Sequence, residues 1–203
     1  MGNNAQNCDN SHNVHQKGES RMKIDKQVLE ELGGLYDGVM EVAPGLYYVW
    51  KNDLRGLFSV SAKKLVIPVE YSDIIRITDD LYEVQKKDDL RGLFSVSAGK
   101  LLIPVRCNCI SKLTDDLYEI WENDFLGLFS VSANKLVIPV EYDGFGKFAD
   151  DLYWVRKNGL HGLFSISNGR WVLSVEYTKI EIKDALVITE RVVKTTKLLT
   201  DLF

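Results

Sequence analysis

The chain has 203 residues, of which 45% are hydrophobic and 27% charged, a composition typical of soluble globular proteins. Its formal charge of −4 at pH 7 argues against general nucleic-acid binding, which needs a basic surface. No apolar run approaches the ~20 residues of a membrane span. We therefore expect neither a nucleic acid nor a membrane as a partner.

The three cysteines, Cys8, Cys107 and Cys109, lack the number and spacing of a disulfide framework. An odd, unpatterned set indicates a reducing compartment, so we expect a cytoplasmic protein. Cys107 and Cys109 form a C-x-C motif without a nearby His or a further Cys. Such a pair does not supply the ligands of a typical zinc site, and we predict neither a metal nor another cofactor.

The N-terminal part of the chain divides into two predicted segments. Residues 1–21 are rich in Asn, Gln and Ser and nearly free of apolar side chains, which predicts a disordered polar tail. Residues 22–45 begin with Ile24, Val28 and Leu32 at helical spacing and continue past Gly33-Gly34, a helix stop. We interpret them as a short capping helix followed by a partial repeat.

An internal repeat dominates the remainder. The run Gly56-Leu57-Phe58-Ser59-Val60-Ser61 returns from Gly92, from Gly127 and, with one change, from Gly162, at spacings of 36, 35 and 35 residues. A fixed period of this length is typical of repeat architectures. We predict four repeats over residues 46–185 and a partial terminal repeat, a cap, over residues 186–203.

Each repeat reads as three short strands. A Leu-Tyr-x-Val/Ile strand is followed by a polar turn such as Asn52-Asp53, by the Gly-Leu-Phe-Ser strand, and by a third apolar strand such as residues 65–71. Two-residue polar turns favour antiparallel hairpins. The predicted fold is all-β: three-stranded antiparallel meanders in a curved or superhelical array. The alternative is an incomplete β-propeller, although propeller blades usually have four strands and ~40–45 residues.

The invariant glycine of the second strand has a predicted structural role. Gly56 and its copies stand within an apolar strand, where glycine usually marks a bulge or a close approach of another backbone.

These residues resemble the bacterial WG-repeat proteins. The resemblance rests on Gly-Leu-Phe-Ser, on Lys-Leu-Val-Ile-Pro-Val-Glu-Tyr and on the Leu-Tyr-x-Val strand, and it covers roughly residues 35–190. The family is named for a Trp before the Gly, where this chain has Arg55, Arg91, Leu126 and His161. The resemblance implies a β-rich repeat module of bacterial origin with a protein-interaction role and without general catalytic activity.

Repeated acidic residues are the main candidates for chemistry. Asp79-Asp80, Asp115-Asp116 and Asp150-Asp151 recur at one site of the repeat and could bind Ca²⁺, which prefers several oxygen ligands. The favoured interpretation is that these side chains bond to nearby backbone N–H groups in turns. Glu70, Glu141 and Glu176 each precede a Tyr and are expected to form a repeated salt bridge or hydrogen bond. No nucleophile elbow or phosphate loop is present, so we expect no enzyme.

Candidate binding residues come from the positions that vary between the repeats. Tyr47 and Val49 have equivalents of the same kind in every repeat and are assigned to the core, whereas the alternate positions vary and are assigned to the outer face. The candidate partner-binding residues on that face are Tyr48, Trp50, Trp121, Trp154 and Arg156. Because Trp, Tyr and Arg dominate binding hot spots, we predict a non-enzymatic protein-interaction module. The alternative is a carbohydrate-binding module that stacks sugars on exposed aromatic rings.

Overall fold

A computed structural model of the chain describes residues 26–149, 151–183 and 186–191. The predicted tail over residues 1–21 and most of the predicted terminal segment lie outside the described residues. The helix α1 (Lys26–Gly33) is followed by four antiparallel sheets. The all-β class predicted from the sequence is confirmed, and none of the sheets is closed within the described part of the chain.

The four sheets follow one another along the sequence. Sheet 1 contains β1 (Gly38–Ala43), β2 (Leu46–Lys51), β3 (Leu54–Ser59) and β4 (Lys64–Tyr71). Sheet 2 contains β5 (Asp73–Arg76), β6 (Leu81–Gln85), β7 (Arg91–Ser95) and β8 (Lys100–Cys107). Sheet 3 contains β9 (Cys109–Lys112), β10 (Leu117–Glu122), β11 (Phe125–Ser130) and β12 (Lys135–Tyr142). Sheet 4 contains β13 (Gly144–Lys147), β14 (Leu152–Lys157), β15 (Leu160–Ser165), β16 (Arg170–Lys183) and β17 (Leu186–Arg191).

The number of strands per sheet corrects one detail of the sequence prediction. Each sheet has four or five strands instead of the predicted three, in simple sequential order. The additional strand is the first, for example β5, which has only four residues and begins one residue after β4 ends. A single residue, Ser72, Asn108 or Asp143, separates the last strand of one sheet from the first strand of the next. Each of the first three predicted repeats therefore supplies the last three strands of one sheet and the first strand of the following one, whereas β16 and β17 both belong to sheet 4.

The polar turns form the hairpins that the sequence predicts. Asn52 and Asp53 both have positive φ, 52° and 62°, and join Lys51 and Leu54, which pair in the β2–β3 ladder. Asn158 and Gly159 repeat this arrangement with φ of 53° and 77°. Two consecutive positive φ angles characterise the type I′ turn, whose twist matches that of antiparallel strands.

The invariant glycine lies at both a bulge and a close approach. Gly56 faces an irregular part of the β3–β4 ladder, where Arg55 pairs with Tyr71 while Leu57 pairs with Ile67. A Cβ atom at Gly56 would lie 2.9 Å from the Ile67 carbonyl oxygen and 2.7 Å from Val69 Cγ2. The bulge also accommodates Pro68 on β4, because a proline cannot donate to a regular ladder.

The chain forms two compact units, divided between Ile110 and Ser111 within β9. In the first unit, Leu57 and Ile67 of sheet 1 pack with Tyr82 and Val84 of sheet 2 in one buried cluster. In the second unit, a cluster joins sheets 3 and 4 in the same manner; it contains Leu126, Leu128, Ile138, Tyr142, Val155 and Phe164. On its other face, sheet 1 packs Tyr47 and Val49 against Leu32 of α1.

Both faces of sheet 1 therefore pack against other elements, which corrects the predicted division into a core face and an outer face for this sheet. Leu57, the cross-strand partner of Tyr48 on the predicted outer face, is completely buried. Glu83, at a varying position of sheet 2, is only 4% exposed. Variation between the repeats does not distinguish an exposed face from one that packs against the following sheet, as this face does in the first unit. Among the described residues, no helix is long and apolar enough to cross a membrane.

Candidate partner-binding groove on the first sheet

Two of the five candidate residues, Tyr48 and Trp50, line one groove in the first unit. Both are on β2, two residues apart, and their side chains therefore lie on the same face of sheet 1. The groove has a volume of about 430 Å³, and its remaining lining residues are Met40, Asp53, Arg55 and Ser72. We call these six residues the sheet 1 groove.

Trp50 covers a glycine on the neighbouring strand. Gly38 pairs with Trp50 in the β1–β2 ladder, and a Cβ atom at Gly38 would lie 1.9 Å from Trp50 Cζ2. The indole ring thus lies against the backbone of β1, which leaves the side chain half-buried. A ring in this position fills the space above a glycine, a pairing that also stabilises strands in designed sheets.

Tyr48 is anchored more deeply than Trp50. It packs against the cluster shared by sheets 1 and 2, and Met40, which is 53% exposed, is its cross-strand partner on β1. Burial raises the pKa of the Tyr48 hydroxyl to about 12, with smaller contributions from Tyr82 and Asp73. Tyr48 is therefore uncharged at neutral pH.

Ion pairs surround the groove. Arg55 donates from Nη1 to Asp73 Oδ1, which links sheet 1 to sheet 2. Arg76, whose charge lies close to Tyr48, donates to Asp79. Both pairs are largely exposed, so each stabilises the fold by no more than about 1 kcal/mol.

The other three candidates lie in the second unit and have different surroundings. Trp121 packs against the cluster of sheets 3 and 4 and donates from Nε1 to Glu119 Oε1 at 2.7 Å. Trp154 covers Gly146 and contacts the His161 ring edge-on, with 6.2 Å between ring centroids. Arg156 donates from Nε to Asp143 Oδ1 at 2.6 Å. The structure thus brings Tyr48 and Trp50 together in one groove of the first unit, whereas Trp121 is partly buried against the cluster of the second unit.

The repeated aspartates serve a structural purpose. The carboxylate of Asp80 accepts from the Ser95 hydroxyl at 2.7 Å and from the Ser97 N–H at 2.6 Å. Asp116 and Asp151 bond to the equivalent serines of their own sheets. The prediction that these side chains bond to backbone N–H groups is confirmed for Asp80, Asp116 and Asp151, each of which ties the turn before the second strand to the turn after the third. Asp79 and Asp115 instead form ion pairs with Arg76 and Lys112. Asp150 lies outside the described residues.

These bonds also determine the acidity of the aspartates. Burial alone would raise the pKa of Asp80, but the Ser97 N–H and the Ser95 hydroxyl outweigh it, and the pKa is lowered. The carboxylate is thus ionised at neutral pH and is held by its own sheet. Among the described residues, no group of three or more His, Cys, Asp or Glu side chains is placed to hold a metal ion.

The salt bridges predicted for the glutamates that precede a tyrosine are found for two of them. Glu141 forms a salt bridge with Lys157 at 3.1 Å, and Glu176 pairs with Arg191. Glu70 lies beside Tyr71, where burial and the Glu70 charge raise the pKa of the tyrosine to about 12.

Sequence reasoning missed four groove residues, Met40, Asp53, Arg55 and Ser72. Met40 belongs to the groove only because β1 pairs with β2, and the partial repeat gave no indication of that pairing. Asp53 was correctly interpreted as a turn residue, and its position at the mouth of the groove follows from the hairpin. The turn signal Asn52-Asp53, directly after Trp50, could have indicated that an acidic side chain lies close to the indole.

The chain is similar to several solved structures, all at low identity. One is the computationally designed Ika8 protein, with 11% identity, a TM-score of 0.34, and 77% of this chain and 57% of that chain covered. Another is Hsv2 of Kluyveromyces lactis, with 10% identity, a TM-score of 0.32, and coverage of 60% and 42%. A third is the C-terminal WD40 domain of Sif2, with 14% identity, a TM-score of 0.32, and coverage of 64% and 43%. The chain thus spans less than two thirds of each of these proteins.

A comparison with curated proteins gave no match. A family model, described as WG containing repeat, matches residues 132–160. This segment contains β12, β13 and β14, and its Lys-Leu-Val-Ile-Pro-Val-Glu-Tyr run is also present in full at residues 64–71. Residues 132–160 are therefore a WG-containing repeat, which confirms the predicted resemblance to the WG-repeat family over this segment.

Proposed function

We propose that the protein is a non-enzymatic protein-interaction module and that the sheet 1 groove binds its partner. The observation that carries the proposal is the composition of this groove. Trp50, Tyr48 and Arg55 are residue types that dominate binding hot spots, and Met40 adds a flexible apolar contact that is more than half exposed.

The absence of an enzymatic role is part of the proposal. The repeated carboxylates Asp80, Asp116 and Asp151 are each engaged by a serine hydroxyl and a backbone N–H, with the same geometry in three sheets. Acid–base catalysis by two carboxylates needs groups in different environments within one cleft. Because these three aspartates have the same surroundings and the same hydrogen bonds, we assign them to stabilisation of the turns.

Replacing Met40 tests the proposal. In the Met40→Arg variant, the new arginine on the edge strand β1 fills the groove opposite Tyr48. Ile75→Arg is the control, because it places the same residue at the equivalent position of sheet 2, where the cross-strand partner is Glu83. Both parent side chains are about half exposed, at 53% and 47%, so both variants should fold. Affinity capture from native cells, followed by mass spectrometry, compares them with the wild type.

The expected result is one stoichiometric protein retained by the wild type and by Ile75→Arg and lost with Met40→Arg. Equal retention by all three proteins would show that the groove is not the interface. Capture of no stoichiometric protein by the wild type would overturn the interaction role.

A carbohydrate-binding role is the second candidate, and one feature of the second unit favours it. A cleft of about 650 Å³ is lined by hydroxyl, carboxylate and amide groups beside the ring of Tyr153. The polar groups suit sugar hydroxyls, but the Tyr153 ring already stacks on Phe145 at 4.9 Å between centroids. Binding on a glycan array that Tyr153→Ala abolishes, without any protein captured by the groove, would favour this role instead.

A further inference from the structure

The charges around the sheet 1 groove leave one carboxylate without a partner. Arg55 pairs with Asp73 and Arg76 pairs with Asp79, while Lys51 directs its ammonium group to the Leu35 carbonyl at 3.0 Å. Each cation near the groove therefore already has an acceptor. Asp53, which lines the groove, makes no side-chain hydrogen bond or ion pair within the described part of the chain.

The backbone fixes the position of this carboxylate. Asp53 is the second residue of the type I′ turn that directly follows the Trp50 strand, and its φ of 62° is set by the hairpin. A tight turn has little freedom to move, so the backbone holds Asp53 beside the groove that it lines. It lies on the same side of the hairpin as the aromatic pair, since all three line one groove.

The aromatic rings supply the second attraction. One side of the Trp50 ring covers Gly38, and the ring together with Tyr48 and Met40 lines the groove. The face of an indole or phenol ring carries a negative potential that attracts cations, and tryptophan is the strongest such ring. A methionine alongside provides a polarisable contact for an aliphatic stem.

We propose that the sheet 1 groove accepts a basic side chain, arginine or lysine, of the protein partner. The stem lies against Met40, the charged group rests on the rings of Tyr48 and Trp50, and Asp53 is its counterion. The inference rests on the proposed function and names the chemistry by which that site recognises its partner. The chain's net charge of −4 also favours the approach of a basic partner.

A small probe tests the site without knowledge of the partner. N-acetyl-arginine amide carries the required cation, and N-acetyl-citrulline amide has nearly the same shape without charge. The indole N–H resonance of Trp50, assigned by its loss in Trp50→Phe, reports binding in an NMR titration of the full chain. We expect a saturable shift with the arginine amide and at least a threefold weaker response to the citrulline amide.

A matched pair of variants assigns the counterion. Asp53→Asn keeps a residue that tolerates positive φ and removes only the charge. Asp124→Asn removes a charge at the same position of the turn between β10 and β11 of sheet 3, where only the first turn residue, Asn123, has positive φ. Asp53→Asn should weaken the binding of the arginine amide about threefold to tenfold, whereas Asp124→Asn should leave its affinity unchanged.

Two results would overturn the inference: equal shifts with both amides, or no change in affinity with Asp53→Asn. Either result combined with loss of the captured protein in Met40→Arg would leave the proposed function intact, with the groove binding its partner through uncharged contacts. Failure of the capture experiment would instead overturn the proposed function itself.

Discussion

Glu83 and Glu119 occupy the same position in consecutive repeats and are stabilised by different partners. Arg91 donates from Nη1 to Glu83 Oε1 at 2.9 Å, and the two side chains are 22% and 5% exposed. Glu119 has no cationic partner of this kind and accepts from the Trp121 indole. Burial raises the pKa of both carboxyl groups, and the opposing contribution comes from Arg91 for Glu83 and from the Trp121 N–H for Glu119.

Replacing Glu119 by Gln should raise stability at neutral pH. The pKa of Glu119 is higher in the folded protein than its unfolded value of ~4.3, so the folded state binds the proton more tightly. The wild type therefore loses stability as the pH rises from that unfolded value through the folded pKa. Gln keeps an acceptor for the indole and does not titrate. We expect Glu119→Gln to melt a few degrees higher than the wild type at pH 7 and at the same temperature near pH 4.

The equivalent change in sheet 2 is the control in which a cation is present. The pKa of Glu83 is also raised by burial, but Arg91 offsets part of the cost of burying this charge. Glu83→Gln leaves Arg91 without its carboxylate, and the Nε of Arg91 is already buried without an acceptor in the described structure. We therefore expect Glu83→Gln to stabilise the protein less than Glu119→Gln at pH 7, as measured by chemical denaturation. An equal or larger gain from Glu83→Gln would contradict the assignment of these two environments.

At the scale of a strand, the invariant glycine is required by space and not by its backbone angles. A Cβ atom at Gly92 of β7 would lie 2.8 Å from the Ile103 carbonyl oxygen and 3.0 Å from the Val105 nitrogen. Both are backbone atoms of β8 and cannot rotate away. Gly99 in the following turn presents the opposite case, with a φ of 62° and nothing within 4 Å of an added Cβ.

These two glycines should respond differently to alanine. Gly92→Ala should cost about 3 kcal/mol, because β8 must move away from β7. Gly99→Ala should cost about 1 kcal/mol, since only the left-handed conformation opposes it. Urea denaturation of both variants measures the difference. Equal losses, or a larger loss at Gly99, would show that the two strands separate easily at the bulge.

The sequence predicted the strands with repeated residues and missed the strand without them. The Gly-Leu-Phe-Ser run and the Asn-Asp turn each carry a local signal, and both were located correctly. The first strand of each sheet differs between repeats, as Gly38–Ala43 and Asp73–Arg76 illustrate. In sheets 2 to 4 it follows the preceding strand after a single residue. Because no turn signal separates the two, the sequence predicted the strand over residues 65–71 and missed the strand that begins at Asp73.

The groove was predictable only in part for a related reason. Tyr48 and Trp50 were identified by their variation, but variation alone did not reveal which face they occupy. A varying position can still be buried, as Glu83 is beside Arg91. Met40 and Asp53 depend on strand pairing and on the direction of a turn, neither of which the spacing of residues specifies.

At the scale of the whole molecule, stability should be divided among cores formed by successive sheets. Ile67 of sheet 1 and Val84 of sheet 2 share the cluster of the first unit, whereas Val155, the equivalent of Val84, belongs to the cluster of the second. A repeat array requires no tertiary contacts other than those between neighbouring repeats.

Double-mutant cycles test this division. Ile67→Val combined with Val84→Ala should deviate from additivity by at least ~0.5 kcal/mol, because both remove atoms from one cluster. Ile67→Val combined with Val155→Ala should be additive within ~0.3–0.5 kcal/mol, since the two clusters have no residue in common. Coupling of the same size in both pairs would indicate a single continuous core.

The one-residue links between sheets have a consequence for how the chain can change in length. Ser72, Asn108 and Asp143 recur after nearly equal intervals, and each stands between a complete sheet and the start of the next. A duplicated gene segment encoding residues 73–108 and inserted after Asn108 would add a whole sheet and bring its own link. The new sheet would carry the same buried Leu, Ile, Tyr and Val side chains as sheet 2. In-frame duplication or loss of one such segment is therefore a change that the protein can tolerate, whereas an insertion of half that length would interrupt a sheet.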